Sequence, residues 1–183
     1  MEYRYAAEAD APAMAELFAA DHHDALTERR RAEHGSVRGR FDAGVLGRMA
    51  GARELLVADD GGRIVGLLAL SAPAALADAS PPVTGLLRAQ EVLEWEGRPL
   101  AESRWLLYGP VVVGAAYRGR GVARALFTMA LAAASERAEA VVALIEAGDA
   151  PSWKVHVDGF GMVPLGDFRA DGRTYAVVAA PTC

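Results

Sequence analysis

Apolar residues along this chain follow two alternating patterns, short continuous runs and positions spaced as on a helix. Helical spacing is clearest over residues 122–137, where Val122, Leu126 and Met129 recur at nearly helical intervals. Short apolar runs of the kind that strands show occupy residues 2–6, 54–59, 63–70, 105–113, 140–145, 160–165 and 174–179. The pattern therefore predicts about seven strands alternating with helices.

Further helices are predicted near both ends of the chain. Asp10 is placed to cap a helix with Pro12 in its first turn, and residues 150–157 form a short helix. A stretch from about Ala25 also has helical character, but several glycines interrupt it, and another helix is expected over about 84–93. The resulting order β-α-α-β-β-β-α-β-α-β-β indicates an α/β fold (an α+β mixed sheet) with flanking helices.

Composition and charge narrow the classes of protein that fit. The 183 residues, 52% hydrophobic and 23% charged, are typical of one globular domain, so we expect a single domain over 1–183. A net charge of −5 gives no general support for a nucleic-acid partner. The single cysteine, Cys183, excludes an intramolecular disulfide and a cysteine-rich metal site.

The sequence has no feature that predicts secretion or a membrane partner. Early acidic residues, Glu2, Glu8 and Asp10, are unlike a signal peptide, and no apolar run reaches the ~18 residues of a membrane span. We therefore expect a cytoplasmic protein. The run Asp21-His22-His23-Asp24 has residue types that bind metals, but it is interpreted as a polar loop, and no metal is expected.

The most informative stretch is Tyr117-Arg118-Gly119-Arg120-Gly121-Val122-Ala123-Arg124, which joins a predicted strand to a predicted helix. Backbone N–H groups of such a turn point towards one spot, and the helix dipole adds roughly half a positive charge there. Glycines let the backbone approach a phosphate closely because they have no Cβ. Strand, glycine-rich turn and helix together therefore predict a binding site for an anion.

The spacing of the turn indicates which anion. It lacks the Gly-Lys-Ser/Thr of a P-loop, and Arg124 stands where a dinucleotide-binding motif needs its third glycine. The run Arg118-x-x-Gly121-x-Ala123 instead resembles the signature of the GNAT N-acetyltransferase superfamily. The resemblance implies that residues 118–124 hold the pyrophosphate of acetyl-coenzyme A. It also implies that the backbone of Val111, Val112 and Val113 pairs with the pantetheine arm. The implied contacts within the turn are Arg118, Gly119, Arg120, Gly121, Val122, Ala123 and Arg124.

A second stretch resembles the same family. Asp149-Ala150-Pro151-Ser152-Trp153-Lys154-Val155-His156, followed by Gly159-Phe160, is similar to the family pattern Asn-x-x-Ala/Ser-x-x-Leu-Tyr/His…Gly-Phe. Asp149 stands where Asn is usual, and the step from His156 to Gly159 is one residue shorter than the common form. The resemblance implies that Asp149 and Ser152 contact the coenzyme. His156 then takes the place of the frequent tyrosine as the acid that protonates the leaving thiolate.

The order of elements also resembles the family over most of the chain. Residues 71–104 are the exception, because the family's usual connection at that point is shorter, and we interpret them as an extended insertion. For the general base the sequence offers Tyr108, Glu102, Glu146 and Asp149. We favour Tyr108 because it lies on the predicted central strand and could relay a proton through water.

The expected function follows from the resemblance. It implies an N-acetyltransferase that moves the acetyl group of acetyl-coenzyme A to a primary amine of a small molecule, peptide or protein, directly through a tetrahedral intermediate. The alternative is a non-catalytic acyl-coenzyme A sensor with the same fold. The expected partners are acetyl-coenzyme A and the amine acceptor, without nucleic acid or membrane. A homodimer is left open because members of the family often dimerise.

Overall fold

The structure, a computed structural model, describes residues 1–21, 41–76 and 80–182. The helix predicted from about Ala25 and the His22-His23 pair lie outside these described residues. None of the helices in the described ranges is long and apolar enough to cross a membrane.

Seven strands form one mixed sheet in the order β1-β2-β3-β6-β7-β9-β8, and a separate two-stranded ladder is formed by β4 and β5. Strand β6 pairs parallel to β7 over Trp105–Leu107, whereas β7 and β9 pair antiparallel. The strands are β1 (Glu2–Tyr5), β2 (Leu55–Asp59), β3 (Ile64–Ser71), β4 (Glu94–Trp95), β5 (Arg98–Pro99), β6 (Trp105–Val113), β7 (Ala140–Glu146), β8 (Val163–Ala170) and β9 (Arg173–Pro181).

Along the described chain the helices lie between strands. They are α1 (Ala11–Asp21), α2 (Ala43–Gly51), α3 (Pro81–Ala89), α4 (Val122–Ala134) and α5 (Ala150–Trp153). Helix α5 continues into a π-helical segment, Lys154–Gly159. The mixed sheet with flanking helices confirms the predicted fold class.

The chain is divided into two compact units. The first consists of Met1–Leu70 and Gly109–Ala130. Its core is formed by apolar residues of the first two helices and of strands β2 and β3, with Met14, Leu67 and Val112 fully buried. This unit contains the whole glycine-rich turn.

The second unit consists of Ser71–Tyr108 and Leu131–Cys183. Leu86 on α3, Leu100 and Val142 are fully buried in its core. A Cβ placed on Gly85 would lie 2.4 Å from the ring of Phe168, so α3 approaches strand β8 closely. Much of the predicted insertion is therefore integrated into this core.

The structure corrects several predicted helices. Asp10 does not cap α1 as predicted, because its carboxylate accepts hydrogen bonds from the Ala7 N–H and from Arg4 at 2.7 Å each. Helix α2 forms over residues 43–51 although it contains glycines, since Asp42 caps it by accepting from the Val45 N–H at 2.8 Å. Helix α3 begins and ends earlier than the predicted 84–93, at Pro81 and Ala89.

Candidate active site

The predicted anion cradle is a turn with two left-handed glycines. Gly119 has φ 71° and Gly121 has φ 81°, and a Cβ built on either residue would meet nothing within 4 Å. Both glycines are therefore required by backbone conformation rather than by crowding. Residues Tyr117–Gly121 are called the glycine turn below.

Hydrogen bonds fix the end of strand β6 ahead of the glycine turn. The Gly114 N–H donates to the Val65 carbonyl at 2.9 Å, and the Tyr117 N–H donates to the Gly114 carbonyl at 2.8 Å. The Arg118 Nε donates to the Val113 carbonyl at 3.1 Å. Arg118 thus ties the turn to the strand that precedes it, a structural role in addition to its predicted contact with phosphate.

Helix α4 begins immediately after the turn and lies close to strand β3. A Cβ on Gly66 would approach Val122 to 3.0 Å and Leu126 to 3.2 Å, so the backbone of β3 and the first turns of α4 need the glycine there. The first backbone N–H groups of a helix have no partner within the helix, and the dipole makes that end positive. This start of α4 can therefore attract and bind an anion.

The first residue of the glycine turn, Tyr117, is hydrogen-bonded to an acidic side chain. The Tyr117 hydroxyl donates to Asp60 Oδ2 at 2.9 Å, and the pKa of Tyr117 is raised, chiefly by this bond. The Arg120 guanidinium lies 5.4 Å from the centre of the Tyr117 ring, within the range of a cation–π contact. Arg120 is exposed, as are Gly119 and Gly121.

The three predicted valines at the end of β6 differ in burial. Val112 is fully buried in the core of the first unit, whereas Val111 and Val113 are partly buried. Because the Val112 side chain is fully buried in the core, Val112 can contribute only its backbone to a ligand. That agrees with the predicted main-chain pairing, which remains a prediction.

The second predicted stretch, residues 149–160, is called the His156 segment. Asp149 caps α5, since its carboxylate accepts from the Ser152 N–H at 3.0 Å. The pKa of Asp149 is raised, mainly by burial, while the bond from Ser152 opposes the rise. The predicted coenzyme contacts Asp149 and Ser152 are thus also the residues that begin this helix.

His156 is held by the helix that precedes it. Its Nδ1 lies 2.8 Å from the Ser152 carbonyl oxygen and 3.2 Å from the Ser152 hydroxyl oxygen. Burial lowers the pKa of His156, against smaller opposing effects of the Ser152 bond and of Asp149. The lowered pKa favours the neutral imidazole near pH 7.

Two aromatic rings pack against His156. The Tyr108 ring and the Phe160 ring each contact it edge-on, with ring centroids 5.6 Å apart in both pairs. The structure thus brings together the two residues predicted to be catalytic, although they are far apart in the sequence. Tyr108 is almost completely buried, and burial strongly raises its pKa. Its phenol stays protonated at neutral pH, which disfavours the proton-accepting role that we predicted for it.

The other candidates for the base have structural partners or an exposed position. Glu146 forms an ion pair with Arg173 at 3.1 Å, and Asp149 is the helix cap. Glu102 lies in an exposed turn before β6. In the described ranges, no group of three or more histidine, cysteine or acidic residues is arranged to hold a metal ion.

A cleft of about 360 Å³ lies beside the start of α5. Its lining combines the Trp153 side chain, apolar residues of β7 and β9, and the carboxylates Glu146, Asp149 and Asp167. Sequence analysis did not predict this cleft, nor the contact of Phe160 with His156. The family pattern contains Phe160 but gives no direction for its ring.

Comparison with known proteins shows the family of the chain. A family model described as "Acetyltransferase (GNAT) family" matches residues 11–162. No curated protein sequence gives a significant match.

Solved structures share the whole fold at low sequence identity. The protein yncA from Salmonella typhimurium, solved with its cofactor acetyl-CoA, is 16% identical with a TM-score of 0.63, covering 100% of this chain and 94% of that chain. A ribosomal-protein-alanine N-acetyltransferase from Brucella melitensis is 19% identical with a TM-score of 0.63, covering 99% of each chain.

An N-acetyltransferase from Staphylococcus aureus Mu50 is 15% identical with a TM-score of 0.64, covering 100% of this chain and 98% of that chain. The likeness of these structures extends over the full described fold, and the family model spans most of the sequence. The resemblance first seen in the glycine turn is thereby confirmed, and the protein belongs to the acetyltransferase (GNAT) family of acyltransferases.

Proposed function

We propose that the protein is an N-acetyltransferase that moves the acetyl group of acetyl-coenzyme A to a primary amine. The observation that carries this proposal is the glycine turn, with two left-handed glycines and open space in front of them at the start of α4. Such a turn suits a diphosphate held by main-chain N–H groups. The similar protein from Salmonella typhimurium was solved with acetyl-CoA, which supports the choice of donor.

Binding of the donor would use mostly the backbone. We propose that N–H groups of residues 118–124 bind the pyrophosphate, and that the backbone of Val111, Val112 and Val113 pairs with the pantetheine arm. The cationic side chains Arg118, Arg120 and Arg124 add favourable electrostatics for an anion. We also propose that Asp149 and Ser152 contact the coenzyme, in addition to forming the hydrogen bond that caps α5.

The chemistry is direct acyl transfer. Attack of the amine nitrogen on the thioester carbon forms a tetrahedral oxyanion, which collapses as the carbon–sulfur bond breaks. Holding both reactants together can contribute ~7–11 kcal/mol in favourable cases, and a backbone N–H can stabilise the oxyanion. One proton must leave the amine and one must reach the thiolate. His156 is the proposed participant, and Tyr108, the base predicted from the sequence, packs against it.

The acceptor is a primary amine of a small molecule, peptide or protein. The Brucella melitensis relative is a ribosomal-protein-alanine N-acetyltransferase, so peptides with a free N-terminus belong in the test together with alkyl amines. Fold likeness at this identity does not select among them.

Two measurements test the proposal. Titration calorimetry of the purified protein with acetyl-coenzyme A should give saturable binding, and a thiol-detecting assay should report coenzyme release that depends on one of the amines. Failure to bind acetyl-coenzyme A would reject the proposal. Binding without thiol release from any amine would favour the alternative, a non-catalytic acyl-coenzyme A sensor.

A further inference from the structure

The contact of His156 with the Ser152 carbonyl indicates which ring nitrogen carries the proton. A carbonyl oxygen can only accept, and it lies 2.8 Å from Nδ1. An unprotonated Nδ1 would direct its lone pair at the lone pairs of that oxygen, so the neutral ring must carry its proton on Nδ1. The hydrogen bonds to this ring among the described residues all involve Nδ1, which leaves Nε2 as the nitrogen with a lone pair.

The surroundings of the ring favour this neutral form. Burial lowers the pKa of His156, and the edge-on rings of Tyr108 and Phe160 supply no negative charge. Among the described residues, the charged group that acts on the ring is Asp149. Asp149 raises the pKa of His156, but this effect is smaller than the lowering caused by burial. A resting imidazole at pH 7 can therefore accept a proton at Nε2 but has none there to donate.

We propose, on the basis of the proposed function, that His156 begins the reaction as a proton acceptor through Nε2 and not as an acid. As the nitrogen–carbon bond forms, the amine proton passes to Nε2. The carbon–sulfur bond then breaks, its electron pair leaves on sulfur, and the imidazolium returns the proton to the thiolate. A thiol is a weaker acid than an imidazolium, with pKa values of about 8.5 and 6.5, so this last transfer is downhill.

This assignment combines both proton transfers in one residue. Tyr108 was predicted from the sequence as the base, but burial keeps its phenol protonated. In this assignment the Tyr108 ring instead orients the His156 ring, against which it packs edge-on. The Ser152 carbonyl is the positioning group, since it selects the tautomer. His156 still protonates the thiolate, as the family resemblance implied, but only after taking the proton from the amine.

The tautomer is tested first, without any substrate. In the full chain labelled with nitrogen-15, His156→Asn identifies the His156 signals among those of the four histidines. We expect Nδ1 to resonate as a protonated nitrogen and Nε2 as an unprotonated one at pH 7. A proton on Nε2 instead of Nδ1 would overturn the inference, regardless of which amine the enzyme acetylates.

The direction of proton transfer is tested with the primary amine that gives the fastest thiol release. The wild type is compared with the variants His156→Asn and His156→Tyr. If neutral His156 is needed, the ratio of wild-type to variant turnover falls as the pH drops through the lowered pKa of His156, below 6.5. A resting acid would give the opposite, a loss as pH rises through the same value. Comparing wild type and variants on the same amine removes the contribution of the amine's own ionisation.

Two substitutions separate the assignments further. His156→Asn can keep a donor near the Ser152 carbonyl but has no ring Nε2, whereas His156→Tyr restores the acid that is frequent in the family. We expect both variants to lose ~100-fold or more in kcat, as for the loss of a general base. Wild-type turnover in His156→Tyr would overturn the inference. Absence of turnover in the wild type, with acetyl-coenzyme A still bound, would instead reject the proposed function.

Discussion

The glycine turn and the His156 segment differ in the groups that serve function, which are backbone N–H groups in the turn and a side chain in the His156 segment. In the turn, Gly119 and Gly121 matter for their backbone conformation, and the anion would be held by main-chain N–H groups. In the His156 segment, a side chain matters, and its Nδ1 lies 2.8 Å from the Ser152 carbonyl oxygen one helical turn earlier. The first arrangement depends on φ angles and the second on a rotamer and a tautomer. Substitutions in the two regions should therefore affect different steps.

The largest effect is expected for His156→Asn on turnover alone. Removing the proton acceptor should lower kcat by ~100-fold or more. The dissociation constant of acetyl-coenzyme A, measured by calorimetry, should change little, because the main-chain N–H groups of the turn are unaffected. A parallel loss of acetyl-coenzyme A affinity would contradict the division between the two regions.

The converse effect is expected for Gly121→Ala. A side chain at φ 81° costs about 1–2 kcal/mol, so we expect roughly a tenfold loss of acetyl-coenzyme A affinity as the turn relaxes. Gly97→Ala is the matched control, since Gly97 has φ 79° and equally open surroundings in another turn. Both variants should lose similar unfolding free energy in urea, but only Gly121→Ala should weaken binding in calorimetry.

A smaller effect is expected for the cap of α5. Asp149→Ala removes the acceptor of the Ser152 N–H and should cost about 1 kcal/mol of unfolding free energy. Asp149→Asn, which introduces the residue usual in the family, should keep most of the cap because an amide oxygen also accepts. Urea denaturation of the two variants measures the difference. Equal stability of both variants and the wild type would mean that the cap contributes nothing.

The smallest effect is expected for Tyr108→Phe. Burial raises the pKa of the Tyr108 phenol, so no proton leaves it near neutral pH. The variant keeps the ring that packs on His156, and the limbs of its pH–rate profile should stay where they are in the wild type. A displaced limb would restore Tyr108 as a group that titrates during the reaction.

Local sequence patterns were sufficient for the glycine turn. Strand β6 was predicted with the bounds that the structure gives, and the predicted glycine-rich turn contains Gly119 and Gly121 with left-handed angles. This success has a simple reason, because only glycine adopts such angles without strain. Helix α2 was less predictable, since its glycines argue against a helix while burial of Leu46 and Ala50 stabilises it.

The His156 segment shows the limit of the same reasoning. The family pattern placed His156, but it gave neither the π-helical turn over Lys154–Gly159 nor the contacts with Tyr108 and Phe160. It also suggested a resting acid, since histidine titrates near neutral pH. Burial lowers the pKa of His156, and this shift, together with the contact of Nδ1 with the Ser152 carbonyl, supports the proposal of a resting base.

By itself the sequence determined the seven strands of the main sheet in their order along the chain, the glycine turn and the family. These depend on local properties, such as apolar spacing and the φ angles open to glycine. Only the tertiary structure supplied the burial of His156 and Tyr108, on which their proposed roles depend, and the hydrogen bond by which Asp149 caps α5. Long-range packing sets both the burial of a group and which atoms lie within hydrogen-bonding distance of it.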